Sequence, residues 1–102
     1  MFPFKKYILK NGLRVILAPR PKSAAATVLV MVEAGSKYEV KKMNGVSHFL
    51  EHMCFKGTKN RPTALAISSE LESLGAVNNA FTGHEETGYW AKVHSAKLDD
   101  IL

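Results

Sequence analysis

A chain of 102 residues, 46% hydrophobic and 23% charged, has ordinary globular composition: one domain at most, able to bury a modest core. Its formal charge of +5 is spread over scattered lysines and arginines, with Lys5-Lys6 and Lys41-Lys42 the only adjacent pairs, so no basic block points to a nucleic-acid or membrane partner. One cysteine, Cys54, excludes an internal disulfide and fits a reduced, cytoplasmic setting. The N-terminus has its apolar residues ahead of its charges, matching neither a secretory signal nor a transit peptide, and the longest apolar run, Val28 to Val32, is too short to span a bilayer.

Residues 4–10 and 13–18 flank Asn11-Gly12, a dipeptide that favours a two-residue hairpin turn, and Pro19 and Pro21 end the second strand. Ala26 to Ala34 is β-rich and apolar on both faces, as expected of a central strand covered on each side; Gly35-Ser36 stops it. From Asn44 to Phe55 the period becomes helical, with Val46, Phe49, Leu50 and Met53 as the recurring apolar positions, Asn44 as N-cap and Gly57 beyond the C-terminus. A second helix has Pro62 near its first turn, an inner stripe of Ala64, Ile67, Leu71 and Leu74, and Gly75 as its stop. Ala76 to Thr82 and Thr87 to His94 read as strands joined by Gly83-His84-Glu85-Glu86, and Ser95 caps the opening of a further helix. The order β-β-β-α-α-β-β-α predicts an α+β fold: a mixed, largely antiparallel sheet with helices packed on it, and no internal domain boundary.

Within the first helix, His48 and His52 stand four residues apart and Glu51 directly precedes the second. On a helix these three share one face, so the imidazoles can reach a single ion. Neutral imidazole is a good zinc ligand, and a carboxylate beside the ligand pair can take a proton from a water whose pKa the metal lowers to about 7. The plain alternative is a helix surface with exposed ion pairs. At this chain's own histidine and glutamate content, H-x-x-E-H arises by chance in about one shuffled chain in a hundred.

The pattern extends further. In order come Asn11-Gly12-Leu13, Glu33-Ala34-Gly35-Ser36, the run HFLEHMCFKGT from His48 to Thr58, Glu72 with Leu74-Gly75, Asn79-Ala80-Phe81-Thr82, and Glu85 with Thr87 and Tyr89. From Tyr7 to its last residue the chain resembles the N-terminal portion of the pitrilysin/insulinase family of inverted-motif zinc peptidases. The resemblance implies a partial metallopeptidase domain over residues 1–102 that hydrolyses peptide bonds by metal-activated water. It implies zinc held by His48 and His52, Glu51 as general base, and Asn79, Ala80 and Phe81 as the edge strand that pairs with an extended peptide or unfolded polypeptide. Without it, Asn79-Ala80-Phe81 is a half-buried strand. Glu85 matches an acidic family position with no role beyond local structure. His84 and His94 read as surface histidines, Cys54 as a core residue, and Tyr89 and Trp90 as packing residues.

One ligand is unaccounted for. A catalytic zinc takes three protein ligands and an open position. The family's third, a glutamate on a later helix, lies farther on than the 50 residues (102 minus 52) after His52. The final SAKLDDIL breaks off in a helix without a C-cap signal, as expected of a fragment whose remainder, or a partner subunit, completes the site. The competing expectation is a non-catalytic interaction or structural subunit of the same fold, as in the family's respiratory-complex core subunits.

Overall fold

The computed structural model describes residues 3–102. Strands β1 (Lys5–Ile8) and β2 (Arg14–Leu17) form a two-stranded sheet, and β3 (Ala25–Val32), β5 (Thr87–His94) and β4 (Val77–Thr82) form a second, in the spatial order β3-β5-β4. Every pairing is antiparallel. Helices α1 (Val46–Met53) and α2 (Ala64–Ser73) lie between β3 and β4 in sequence and pack on β4, while the short α3 (Leu98–Ile101) sits against β3 and β5. The α+β class and the element order match the sequence reading. No described helix is long and apolar enough to cross a membrane.

Several local expectations are corrected. The first hairpin has a three-residue loop, not two: Leu9 N–H donates to Leu13 O at 2.8 Å and Gly12 N–H to Leu9 O at 2.9 Å. Gly12 takes a left-handed φ of 89°, the bulge conformation that such loops require. Ser95 is not the cap of the last helical segment; His94 precedes it, and its Nδ1 accepts the Ala96 N–H at 3.2 Å. The central strand is β5 rather than the third strand. β3 pairs with β5 along one edge, and Leu29 to Met31 are each at least half exposed. An apolar strand signals cover on both faces, but the described residues cover β3 only in part.

Helix α2 follows its sequence signals closely. Thr63 caps it, its side chain accepting the Ala66 N–H at 3.0 Å, so Pro62 lies just outside. Ile67, Leu71 and Leu74 turn inward, while Ala64 is exposed. Gly75, at φ 68°, ends the helix: its N–H reaches Glu72 O at 2.9 Å and the Ala76 N–H reaches Leu71 O at 3.0 Å, the paired bonds of a Schellman motif.

Helix α1 does not bury the stripe expected of it. Phe49 is 65% and Leu50 59% exposed, with Val46 and Met53 also exposed, whereas Ser47 and Glu51 are half-buried. The helix therefore meets β4 with a polar edge. Among the described residues Val93 is the one apolar side chain that is buried, at 3% exposure. The chain exposes 8437 Å² and has a radius of gyration of 15.6 Å. A compact monomer of 11.3 kDa would expose about 5,700 Å² with a radius near 13 Å, so much apolar surface remains wet.

Candidate active site

The start of α1 sets the site. Its N-cap position is Gly45, not Asn44, in a left-handed conformation (φ 89°) that a side chain would resist, and no local side chain caps the helix. Glu39, from the preceding loop, does so instead: its two carboxylate oxygens accept the N–H groups of Gly45 and Ser47, each at 2.8 Å. These bonds, that from Ser47 foremost, hold the Glu39 carboxyl below the usual carboxylate range.

One turn into the helix, the spacing of four brings His48 and His52 face to edge, with ring centroids 4.5 Å apart and their Nε2 atoms 2.9 Å apart. Two nitrogens bound to one tetrahedral zinc at about 2.0–2.1 Å stand about 3.3 Å apart, so a ring adjustment of a few tenths of an ångström suits the pair to a shared ion. The donor set fits zinc. Among the described residues no group of three His, Cys, Asp or Glu side chains comes together around an ion.

Glu51 leaves the helix toward β4, where its Oε2 accepts a hydrogen bond from Thr82 Oγ1. Thr82 and His48 line a cleft of about 280 Å³ together with Ser36, Glu39 and His84. The wall formed by the β4–β5 hairpin is clamped to the loop after β3. Lys37 N–H donates to His84 O at 2.9 Å, Ser36 Oγ lies 2.6 Å from His84 Nδ1, and Lys37 Nζ lies 3.2 Å from Glu85 Oε1. His84 is therefore a structural tie at the rim of the cleft, a role its sequence context did not signal.

Asn79, Ala80 and Phe81 lie in β4, which has β5 on one side and an open edge on the other. Gly83 N–H donates to Glu86 O at 2.7 Å, which sets the phase of the antiparallel ladder. The backbones of Phe81 and Asn79 then face β5, and that of Ala80 faces the open edge. There the Ala80 N–H is met by the Asn79 side chain, Oδ1 at 2.8 Å. Phe81 lays its ring over Gly88 so closely that a Cβ at Gly88 would come within 2.2 Å of it.

Beneath α1, Cys54 donates its thiol hydrogen to Tyr89 Oη at 3.7 Å, and the Phe55 and Tyr89 rings lie 6.4 Å apart. Burial, then the Cys54 contact and the Glu51 charge, push the Tyr89 hydroxyl up to about 12. Tyr89 is thus a packing residue, as expected. Cys54, expected in the core, is exposed, because its contact with Tyr89 covers only one side of it. Glu39 and Thr82 are the site residues that sequence reasoning missed; Thr82 stood inside the quoted strand motif, whereas nothing local marked Glu39.

The model of the insulinase family, peptidase family M16, matches residues 14–102. The chain belongs to that family. It is 53% identical over 101 residues to the probable mitochondrial-processing peptidase subunit beta of Schizosaccharomyces pombe, a match covering 92% of this chain and 22% of that protein. Over 95 residues it is 47% identical to mouse (Mus musculus) cytochrome b-c1 complex subunit 1, mitochondrial, covering 93% of this chain and 19% of the relative. A protein named uncharacterized zinc protease in Rickettsia felis is 45% identical over 94 residues, 92% of this chain and 23% of its own length. Among solved structures, a protease from Helicobacter pylori superposes with a TM-score of 0.92 at 35% identity, covering 98% of this chain and 24% of that one. The chain therefore spans about a fifth of the length of the curated relatives it matches.

Proposed function

We propose that this M16-family chain carries the metal-binding helix and the substrate-binding strand of a zinc metalloendopeptidase, and that residues 1–102 are the N-terminal part of its domain. The observation that carries this reading is the 2.9 Å approach of His48 Nε2 to His52 Nε2, with Glu51 beside them and tied to the end of an open strand edge. The name of the Rickettsia felis relative supports zinc as the metal. Zinc held by His48 and His52 would supply Lewis-acid activation of a water molecule and of a peptide carbonyl. Glu51 is the group placed to accept the proton of the attacking water and pass it to the leaving amine. The outward backbone of Ala80 offers its C=O to an extended peptide or unfolded polypeptide, and its N–H once the Asn79 side chain that now accepts it swings aside, with Phe81 on the other flank. The third ligand comes from the remainder of a longer peptidase or from a partner subunit.

The test is hydrolysis of an unstructured peptide by zinc-loaded protein extended to the full length of its relatives. Glu51→Gln is expected to retain zinc and lose turnover, because both ligands stay while the proton acceptor goes; His52→Ala loses both. Equal turnover by wild type and Glu51→Gln sinks the assignment of the base. Alone, with two imidazoles and no carboxylate ligand, the 102-residue chain is expected to bind zinc weakly and to cleave nothing measurable. A second reading has its own support in the mouse relative, whose name is that of a cytochrome b-c1 complex subunit. A non-catalytic subunit of this fold would bind its partner equally well before and after the Glu51→Gln substitution and never hydrolyse peptide in a zinc-dependent way.

A further inference from the structure

Among the described residues, the one hydrogen-bond partner of the Glu51 side chain is the Thr82 hydroxyl, 31 residues away in sequence. His48 and His52 are bonded to each other and leave Glu51 without help from its own helix. A glutamate has three side-chain torsions and samples many positions unless something fixes its end. Thr82, being β-branched, is stiff at χ1, and its backbone is held on several sides. It pairs with Thr87, and the next residue closes the hairpin through Gly83 N–H and Glu86 O. The hairpin tip is clamped by Ser36 and Lys37. Gly35 lies so near the tip that a Cβ there would stand 2.5 Å from Gly83 O.

We propose that Thr82 is a positioning residue that fixes the Glu51 carboxylate relative to the strand edge receiving the peptide. The inference rests on the peptidase reading above and adds to it how base and substrate are kept in register. Ala80, whose backbone faces the open edge, lies two residues before Thr82 on the same strand, about 7 Å along it. Peptide and carboxylate are then both referred to β4. A shift of α1 relative to the sheet would then not carry the base away from the scissile bond. Such registration matters because misplacement by about 1 Å can cost about a hundredfold in rate.

Thr82→Val keeps the β-branched shape and removes only the hydroxyl. In the zinc-loaded holoenzyme it is expected to lower kcat by about ten- to a hundredfold with KM and zinc content unchanged, and Thr82→Ser is expected to restore most of that loss. Independently of activity, three-bond scalar couplings of the Glu51 side chain in metal-free protein should report one rotamer in wild type and Thr82→Ser, and rotamer averaging in Thr82→Val. Wild-type kcat in Thr82→Val, a serine variant as impaired as the valine one, or couplings unchanged by Thr82→Val would each overturn the proposal. If the holoenzyme hydrolyses no peptide, the peptidase reading fails, and if wild type and Glu51→Gln turn over equally, Glu51 is not the base; in both cases the couplings still decide whether Thr82 holds Glu51.

Discussion

The two halves of this molecule are held by different forces. Around α1, β4 and the hairpin tip, polar groups find partners outside their own element: Glu39 with Gly45 and Ser47, Ser36 with His84, Glu51 with Thr82. In the β1–β2 hairpin and β3 the backbone ladders are complete, but the apolar side chains are not covered; Ile8 is 68% and Ile16 64% exposed. Hydrogen bonds are directional and short-ranged, so a few residues suffice to close them. Apolar burial needs a second surface of matching area, and here that surface is small. A site can thus be geometrically specified on a body whose core is not closed, and the Helicobacter pylori protease shares that backbone over 98% of this chain.

Truncating a buried and an exposed apolar side chain on the paired strands β5 and β3 tests most severely how far β3 is left uncovered. Val93→Ala removes the buried apolar residue and is expected to cost about 2 kcal/mol, lowering the urea midpoint by about 1–2 M. Leu29→Ala removes a larger side chain that is half exposed and is expected to change stability by less than about 0.5 kcal/mol. Comparable losses would mean that β3 is covered in solution, and sedimentation over a range of concentrations would show whether a second copy covers it.

The clamp comes next in size. Gly35→Ala would bring a Cβ within 2.5 Å of Gly83 O and 2.6 Å of His84 O, and both obstacles are backbone. The loop and the hairpin tip must separate, at an expected cost of about 1–3 kcal/mol. Amide exchange should quicken at Lys37, whose N–H bonds His84 O, and at Gly83, while the amides of the β1–β2 ladder keep their rates. Uniform quickening along the chain would show that the two halves unfold as one unit, and the contrast would not survive.

What was legible in the sequence follows the same division. Periodicity placed His48, Glu51 and His52 on one helical face, located α2 with its Gly75 stop, and marked β4 and β5 to within a residue, because these are local properties of the chain. The same periodicity misjudged α1. It identified Val46, Phe49, Leu50 and Met53 as an apolar face correctly, but a face does not name its partner, and the helix docks by Ser47 and Glu51 instead. The apolar pattern of β3 likewise signalled cover, yet β3 lies at an edge of its sheet. Glu39 and Thr82 escaped notice because their roles depend on tertiary placement, which no spacing rule encodes.

Glu39 carries the smallest expected effect and the clearest dependence on pH. With Gly45 at its N-cap, α1 has no side chain of its own to meet its first N–H groups, and a carboxylate from the loop both accepts two of them and opposes the positive end of the helix dipole. Those bonds favour the ionised form, so the folded state holds the Glu39 carboxyl below its ordinary value of 4.5. Folding therefore gains from this group at any pH above 4.5, and the gain disappears as acid protonates the carboxylate through its depressed folded value. Amide exchange at Gly45 and Ser47 should accordingly be slow from neutrality to about pH 5, after correction for the intrinsic rate, and lose protection in stronger acid. Glu39→Gln leaves one carbonyl oxygen to accept one N–H and turns an amide NH₂ toward the other, so one of the two protections should already be missing at about pH 7. Because β4 and Thr82 hold the following turn, the His48 and His52 rings should remain close in the variant. Protection at Gly45 and Ser47 that persists unchanged from about pH 7 to about pH 3 in the wild type would show that another group starts this helix, and that the polar half owes its order to something other than the Glu39 cap.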